Sequence, residues 1–315
     1  SFPNLFDTID GSISMELDTV DSKSFKGVVD ACTLCDMCFM VSCPYVPPHE
    51  FAIDIPSLFI RYKAIEDKKK SNFLNNQVAK TDRNGKLGLM FSRLFNFFLK
   101  KERKIFRKIF AFFTGIDVSV TLPRFNNLSF KNFFRKYKKK FEHKKSYNEK
   151  VIIFSSCYIN YNDSKIGESL VKVLEKNKVY MEEFYPGCCK MPQLEQGKVE
   201  EVKETAIQTA QMLKDKIENG FKIIAPVASC ALMLKSHWPL LNPENIDVKN
   251  LADSTMDADE YIWDLNNRVG LADGMKSLKN KITLHSSCHS RAQNIGPKSA
   301  QILKLIPGTE SISVE

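Results

Sequence analysis

The sequence predicts an α/β protein in which a doubly wound, largely parallel domain is preceded by a small helical domain and a basic helical segment. Three observations predict this organisation. Strand-like and helix-length runs alternate from Val151 onward, four of nine cysteines lie within twelve positions near the amino terminus, and basic residues crowd the region between. Alternation of this kind implies right-handed crossovers and a parallel sheet. We therefore divide the chain into residues 1–67, 68–149 and 150–315.

Residues 1–67 are predicted to be a small domain built around a cofactor. They carry four cysteines, many turn-forming residues and little hydrophobic periodicity, so their apolar content alone gives a thin core. An odd number of cysteines, together with the lack of a secretory signal at the first residues, favours reduced thiolates over a disulfide framework. We expect a cytoplasmic protein, and no apolar run is long enough for an ordinary membrane-spanning helix.

Residues 68–149 form the basic segment. The ninety residues 61–150 contain 25 Lys and Arg against 7 Asp and Glu, although the whole chain carries only +9. Apolar residues recur at three- and four-residue steps over 87–113 and predict an amphipathic basic helix. Three interpretations of its Phe-rich face are open: packing on the rest of the protein, contact with an anionic membrane surface or a redox partner, and nucleic-acid binding, which is the least favoured.

Residues 150–315 supply the predicted sheet. The predicted strands are Val151–Ser155, Val179–Phe184, Phe221–Pro226 and Lys281–His285. One predicted helix follows the Asn162-Asp163-Ser164 cap, and a second is marked by the apolar face from Val199 to Ile217. A third begins at Gly296-Pro297. Two units read as strand, two serines, cysteine and helix, beginning at Ile152 and Thr283. Internal duplication of the domain is one interpretation of this similarity.

Cys32, Cys35, Cys38 and Cys43 are the predicted metal ligands. Two-residue gaps let three thiolates on one tight loop reach three corners of a single cubane, and the fourth cysteine, followed by Pro44, turns toward another cluster in two-cluster ferredoxins. The spacing before Cys43 is one residue longer than in bacterial ferredoxins. Zinc is the alternative, but zinc sites usually separate their cysteine pairs by a dozen or more residues. The pattern therefore favours iron–sulfur.

The remaining cysteines each follow a predicted strand of the third region, and they are Cys157, Cys188, Cys189, Cys230 and Cys288. Carboxyl ends of parallel strands share one edge, where open α/β sheets bind ligands and helix amino termini favour thiolates. One such cysteine on its own could equally be a small buried apolar residue. Their recurrence at one predicted edge favours a shared cofactor-binding site. Three histidines near cysteines, at positions 49, 285 and 289, are either structural or tune a cluster.

The cysteine pattern resembles a known family. Cys157, Gly187-Cys188-Cys189-Lys190-Met191-Pro192 and Cys230, with a second unit from Cys288, resemble the cysteine-rich CCG domain of the heterodisulfide reductase and anaerobic glycerol-3-phosphate dehydrogenase C-subunit family. Ser229-Cys230-Ala231-Leu232-Met233-Leu234-Lys235 and Ala292-Gln293-Asn294-Ile295-Gly296 resemble the latter in particular. The Cys32–Cys43 run with Pro44-Tyr45-Val46-Pro47-Pro48-His49-Glu50 resembles the second cluster motif of the preceding ferredoxin-type domain.

The resemblance implies one or two 4Fe-4S clusters at the ferredoxin-type domain and a further iron–sulfur cluster or disulfide-active centre at the CCG cysteines. It also implies a redox partner, either a flavoprotein dehydrogenase or an electron carrier. Two departures put the CCG site in doubt, since Lys190 replaces a usual Gly and Val227 stands where a further cysteine is usual. By the same resemblance we expect truncation, with one ferredoxin motif before Ser1 and a cysteine pair after Glu315.

The leading hypothesis is an iron–sulfur electron-transfer subunit of an oxidoreductase, located in the cytoplasm or peripherally at the inner face of the membrane through residues 87–113. The alternative is a zinc or thiol-redox regulatory protein whose basic helix binds membrane or nucleic acid. A pure electron carrier without a substrate site is a third hypothesis. The sequence contains no recognisable catalytic triad, phosphate loop or dinucleotide fingerprint, so hydrolase and nucleotide chemistry are not predicted.

Overall fold

A computed structural model describes residues 1–39, 43–69, 73–141, 147, 149–278 and 281–314. The amino-terminal helices are α1 (Phe2–Asp10), α2 (Phe25–Asp30) and α3 (Ile55–Lys69), with two 3₁₀ turns at Leu17–Thr19 and Ser22–Ser24. The basic segment forms α4 (Phe73–Ala79), α5 (Thr81–Met90), α6 (Ser92–Phe98), α7 (Lys104–Thr114) and α8 (Phe130–Phe141). Both regions are helical, as the sequence predicts.

The third region alternates strands and helices. Its first part contains β1 (Glu149–Phe154), α9 (Cys157–Tyr161), α10 (Ser164–Lys176), β2 (Val179–Phe184), α11 (Met191–Glu195), α12 (Val199–Glu218) and β3 (Lys222–Ala225). Next come α13 (Ala228–Leu232), a π-helical turn (Met233–His237), α14 (Trp238–Leu241), α15 (Ile246–Ser254), β4 (Thr255–Asp257) and α16 (Ala258–Val269). The last elements are β5 (Lys281–His285), α17 (Cys288–Ala292), α18 (Lys298–Leu305) and β6 (Glu310–Val314).

The main sheet is parallel with strand order β2-β1-β3-β4, which confirms the predicted α/β class. The central strand β1 buries both faces, as a strand covered by helices on each side must. Ile152 and Phe154 pack in one apolar cluster, and Val151 and Ile153 pack in the other. The cluster that contains Ile152 is the one that also holds the cysteines described below.

The last two strands form a separate sheet. β5 pairs in parallel with β6 and with no strand of the four-stranded sheet. Its local structure nevertheless matches that of β1, because the second serine of each Ser-Ser-Cys run caps the helix that follows. Ser156 accepts a hydrogen bond from the backbone of Ile159, and Ser287 accepts one from Ser290. The resemblance between the two units therefore extends to the capping of the helices, although their sheets are distinct.

The single amphipathic helix predicted over 87–113 is wrong. The chain forms α5, α6 and α7 instead, interrupted at Phe91 and again at 99–103. Tertiary contacts decide this outcome, because the Asn96 side chain exchanges two hydrogen bonds with the backbone of Phe125, each 2.8 Å long. Gly88 also lies so close to the Phe125 ring that a Cβ there would overlap it. Within the described residues, none of the helices combines the length and apolar character needed to cross a membrane.

The amino-terminal region packs directly on the α/β region. Gly197, in the turn between α11 and α12, has a left-handed backbone (φ +80°), and a Cβ built there would lie 2.4 Å from the backbone carbon of Lys63 in α3. Lys63 in turn donates a 2.8 Å hydrogen bond from Nζ to the carbonyl oxygen of Cys32. The close approach of α3 to this turn therefore holds the first cysteine loop against the sheet domain.

Two glycines with the same backbone angle provide a test of this contact. Gly220 also has φ +80°, but no atom lies within 4 Å of the position that a Cβ would take there. We expect Gly220→Ala to cost about 1–2 kcal/mol through left-handed strain alone. Gly197→Ala adds a backbone overlap and should cost about 1–3 kcal/mol more. Urea unfolding of both variants measures the difference, and equal destabilisation would contradict the proposed packing of α3.

Candidate functional site

The carboxyl edge of the main sheet carries four of the cysteines. β1 leads into Cys157 at the start of α9, β2 into the loop with Cys188 and Cys189, and β3 into Cys230 in α13. Because β1 lies between β2 and β3, the connections leave the sheet on opposite sides and open a crevice at this edge. The topology thus places the four thiols where doubly wound folds bind their ligands.

The four thiols form one chain of contacts. The sulfur atoms of Cys157 and Cys188 are 3.9 Å apart, and those of Cys189 and Cys230 are 3.2 Å apart. Cys188 and Cys189 are adjacent in sequence and interact with each other, so the two close pairs are joined. Cys188, Cys189 and Cys230 are buried, and Cys157 is half-buried. These residues therefore constitute a single thiol-rich centre that is largely shielded from water.

The contacts within this centre favour the thiolate form at Cys188. Hydrogen bonds from the thiols of Cys157 and Cys189 hold the pKa of Cys188 well below its usual range. Those same interactions raise the pKa values of Cys157 and Cys189, and burial raises them further. The backbone N–H of Lys190 adds a 3.4 Å contact to the Cys188 sulfur. A thiolate at this position is the form that binds metal.

Asp82 and Thr81, at the start of α5, support the centre from the basic segment. Asp82 accepts a 2.8 Å hydrogen bond from the backbone N–H of Cys188 and another from the Tyr185 hydroxyl. Burial and the Asp82 charge raise the pKa of Tyr185, so its hydroxyl remains a donor. The Thr81 hydroxyl lies near the thiols of Cys157 and Cys188 and favours their thiolate forms. Neither residue could be predicted to lie at the site, because nothing in the local sequence links α5 to a cysteine about a hundred positions away.

Cys288 lies apart from this group. Its strand, β5, belongs to the second sheet, so the expectation that all five cysteines share one sheet edge is wrong for Cys288. Its helix, α17, does pack on α13, which carries Cys230, and Ala292 at the end of α17 is buried in the cysteine-bearing cluster. The Cys288 side chain itself is exposed. Its role as a cofactor ligand stays a prediction.

The amino-terminal cysteine loop follows α2. Leu34 and Asp36 adopt left-handed backbone angles of +47° and +56°, which turn the chain sharply between the cysteines. Burial raises the pKa of Cys38 to about 11, and electrostatic interaction with the neighbouring Cys32 and Cys35 adds to the shift. The first three predicted ligands thus lie close enough to interact electrostatically. Cys43 is half-buried and follows residues 40–42, which lie outside the described part of the chain.

The loop packs on the thiol-rich centre. Leu34 is fully buried in the same apolar cluster as Cys188, Cys189 and Cys230, and Cys32 packs against that cluster. A buried contact of 3.1 Å also joins Asp36 of the loop to His237 of the π-helical turn. The two cysteine sets, which are more than a hundred residues apart in sequence, are therefore neighbours in the fold.

His289 connects three parts of this assembly. Its Nε2 lies 3.1 Å from the carbonyl oxygen of Leu34, and its Nδ1 lies 2.7 Å from the Ser229 hydroxyl beside Cys230. A carbonyl oxygen can only accept, so Nε2 carries a proton in this arrangement; in the neutral ring Nδ1 then accepts from Ser229. His289 therefore makes structural contacts with both cysteine-bearing regions, and its tuning of a cluster stays a prediction.

The donor set suits a cluster of several iron atoms. Thiolates are the ligands of iron–sulfur clusters and bind separate irons, so they do not need to converge on one point. Among the described residues, no three His, Cys, Asp or Glu side chains are arranged to hold a single metal ion. Val227, at the position of the usual further cysteine, presents a partly buried apolar side chain, so the centre contains four thiols in this part of the structure.

Comparison with known proteins agrees with this architecture. Residues 151–235 match the family model of the CCG cysteine-rich domain. The chain is 25% identical over 260 residues to the C subunit of the anaerobic glycerol-3-phosphate dehydrogenase of Escherichia coli K12, an alignment that covers 82% of this chain and 64% of the relative. It is 26% identical over 167 residues to lactate utilization protein A of Bacillus subtilis, covering 51% of this chain and 67% of the relative.

These matches confirm the predicted resemblance to the CCG domain and to the glycerol-3-phosphate dehydrogenase relative. The matched region spans less than two thirds of the length of the E. coli relative. No solved structure matches the chain. The domain match runs from within β1 into the π-helical turn and therefore includes all four thiols of the centre, but not the amino-terminal cysteine loop or Cys288.

The spacing of the thiols predicts which disulfides form in cluster-free protein. Diamide removes two electrons and two protons from a pair of thiols and joins their sulfur atoms. We expect a Cys189–Cys230 bridge first, since these sulfur atoms are only 3.2 Å apart. Cys288 is exposed and should remain open to alkylation. Peptide mass mapping identifies the bridge, and a dominant bridge to Cys288 would contradict the site geometry.

Proposed function

We propose that this chain is an iron–sulfur electron-transfer subunit of an oxidoreductase, which passes electrons between a partner dehydrogenase or carrier and an acceptor. The observation that carries the proposal is the packing of the Cys32–Cys38 loop on the thiol-rich centre, with Leu34 buried in the same cluster as Cys188, Cys189 and Cys230. A coarse electron-transfer role is consistent with the CCG domain and with relatives named as a dehydrogenase subunit and a lactate utilization protein.

Two ligand sets are assigned in this proposal. Cys32, Cys35 and Cys38 hold a 4Fe-4S cluster of a ferredoxin-type domain, and Cys43 belongs to that cluster or to a neighbouring one. A second set, formed by the four thiols at the sheet edge, holds a further cluster. When bound, such clusters accept and release one electron at a time.

The surrounding residues are suited to orient these ligands and exclude water. Asp82 fixes the backbone at Cys188, and the Trp238 indole donates a 3.3 Å hydrogen bond to the carbonyl oxygen of Cys189. Trp238 is fully buried and contacts Phe154 of the central strand edge to face. His289 and the Asp36–His237 contact hold the amino-terminal loop against this region. Such supporting contacts and low solvent access tune cluster potentials.

Iron and acid-labile sulfide analysis after anaerobic purification tests the two ligand sets. Cys35→Ser should remove about four irons per chain and leave the second centre, while Cys189→Ser should do the reverse. Each variant is the matched control for the other, since both exchange one sulfur for one oxygen. Stoichiometric zinc without iron in the unmodified protein would overturn the proposal.

A zinc or thiol-redox regulatory protein is the competing function. The 3.2 Å approach of the Cys189 and Cys230 sulfur atoms favours it, because close thiols can cycle between dithiol and disulfide. Electron paramagnetic resonance of the reduced protein separates the alternatives, since zinc and disulfides give no signal and a reduced cubane does. A paramagnetic signal that survives in Cys189→Ser and disappears in Cys35→Ser would instead indicate a simple carrier.

We also propose that the outer face of α7 contacts an anionic membrane surface. Ile105, Ile109 and Phe112 lie along one side of the helix, and Phe112 is 85% exposed. Lys104 and Lys108 flank this side and are exposed as well. Large apolar side chains with adjacent lysines match the boundary between acyl chains and anionic headgroups. Nucleic acid is not favoured, because exposed aliphatic side chains gain nothing from a phosphate backbone.

Vesicle co-sedimentation tests this contact. Ile105→Glu should weaken binding to phosphatidylglycerol-containing vesicles by about tenfold or more, because a buried isoleucine contributes about 1.5–3 kcal/mol. Ile246→Glu is the matched control, since Ile105 and Ile246 are 74% and 63% exposed but lie in different regions. The control should bind as the unmodified protein does. Equal binding by both variants, or equal binding to purely zwitterionic vesicles, would contradict the proposal.

A further inference from the structure

An apolar cleft of about 580 Å³ lies between the helices of the basic segment and the thiol-rich centre. Its volume is within the range of small-molecule sites, which are mostly apolar with a few polar groups. The lining comes from α4, α5, α6 and α7, from the 122–125 loop and from α9, and includes Leu87, Phe95, Leu99, Phe110, Phe125 and Cys157. The proposed iron–sulfur function assigns no role to this cleft.

One face of α7 lines the cleft, and the opposite face is exposed on the surface of the protein. Phe110 and Thr114 line the cleft, whereas Ile105, Ile109 and Phe112 face outward. The cleft is therefore separate from the surface that we assign to the membrane. Its shape depends on the interruptions that divide the segment into α5, α6 and α7, since these fold the chain around the opening.

The cleft has few polar groups, and nearly all of them are uncharged. Arg83 is the single charged side chain in the lining described by the structure, and it is exposed at the rim. Its guanidinium donates to Gln77 and Asn84. At the inner end, the Thr81 hydroxyl is buried without a hydrogen bond of normal geometry, although it lies near the Cys157 and Cys188 thiols. An occupant could therefore be apolar over most of its surface and polar at the end that reaches Thr81.

We propose that this cleft binds an uncharged, predominantly apolar small molecule with one polar end, and that the bound molecule contacts Cys157. A strongly charged ligand is disfavoured, because the apolar walls would desolvate its charge. The charged side chain of the described lining, Arg83, lies exposed at the rim and already donates to Gln77 and Asn84. A polar end can hydrogen-bond to Thr81 Oγ1, which is buried and makes no hydrogen bond of normal geometry with the described residues. Cys157 then lies both in the lining of the cleft and in the thiol-rich centre.

Contact with Cys157 couples the cleft to the electron-transfer centre, a consequence that rests on the proposed function. An apolar occupant replaces water beside the Cys157 ligand and lowers the local dielectric constant. Low dielectric disfavours the more negatively charged, reduced state of a thiolate-bound cluster. Occupancy should therefore lower the midpoint potential of the centre that Cys157 serves and leave the Cys32–Cys38 centre unchanged.

Fluorescence titration with N-phenyl-1-naphthylamine, a neutral apolar probe, tests the site itself. We expect saturable binding of one probe per chain. Leu99→Trp adds volume inside the cleft and should weaken binding by about tenfold or more, because overfilling a packed apolar site is unfavourable. Leu128→Trp is the matched control, because Leu128 lies in the loop before α8 and outside the lining. It should bind as the unmodified protein does.

Unsaturable binding, or equal weakening by both tryptophan variants, would overturn the proposed site. Circular dichroism and thermal melting of the variants exclude unfolding as the cause of lost binding. A redox titration of the full, cluster-containing chain with and without the probe then tests the coupling. If the probe is bound and the midpoint potential of the Cys157 centre is unchanged, the proposed coupling is overturned. Absence of iron would instead defeat the proposed function, because probe binding and its loss in Leu99→Trp need no cluster.

Discussion

Burial of the Leu34 side chain against the sheet edge is the contact on which the rest of the structure depends. Leu34 sits at the tip of a cysteine loop with too few apolar residues to fold around itself, and it enters the cluster that contains Cys188, Cys189 and Cys230. His289 holds its carbonyl oxygen, and Lys63 holds that of Cys32. Packing of the Leu34 side chain therefore fixes the position of the loop and brings the two cysteine sets together.

The departures from the usual CCG pattern are accommodated without loss of the centre. Lys190 has a left-handed backbone (φ +71°), which explains why glycine is usual at that position. Its side chain is held by an ion pair with Glu201, with 2.6 Å between Nζ and Oε1. Val227 packs its side chain between the two apolar clusters and its carbonyl accepts from the backbone of Cys230. Valine in place of cysteine at position 227 leaves the site with one potential ligand fewer and adds an apolar side chain beside the thiols.

The strands and the positions of the first four sheet-edge cysteines could be predicted because both depend on local patterns. Apolar runs of strand length end just before Cys157, Cys188 and Cys230, and parallel topology then brings their ends together. The interruptions between α5, α6 and α7 could not be predicted, since they follow from the contacts of Asn96 and Gly88 with a loop about thirty residues away. The role of Asp82 could not be predicted for the same reason, since its contacts with Cys188 and Tyr185 join residues about a hundred positions apart. Cys288 was placed wrongly because local similarity between two strands cannot reveal that they belong to different sheets.

We propose that the two cysteine sets form neighbouring centres of one electron path. Pulsed electron paramagnetic resonance of the fully reduced chain measures this directly, because two paramagnetic clusters held close together couple magnetically. We expect a dipolar interaction in the fully reduced protein that vanishes when either cluster alone is present. Two signals that relax independently, with no interaction between them, would contradict it.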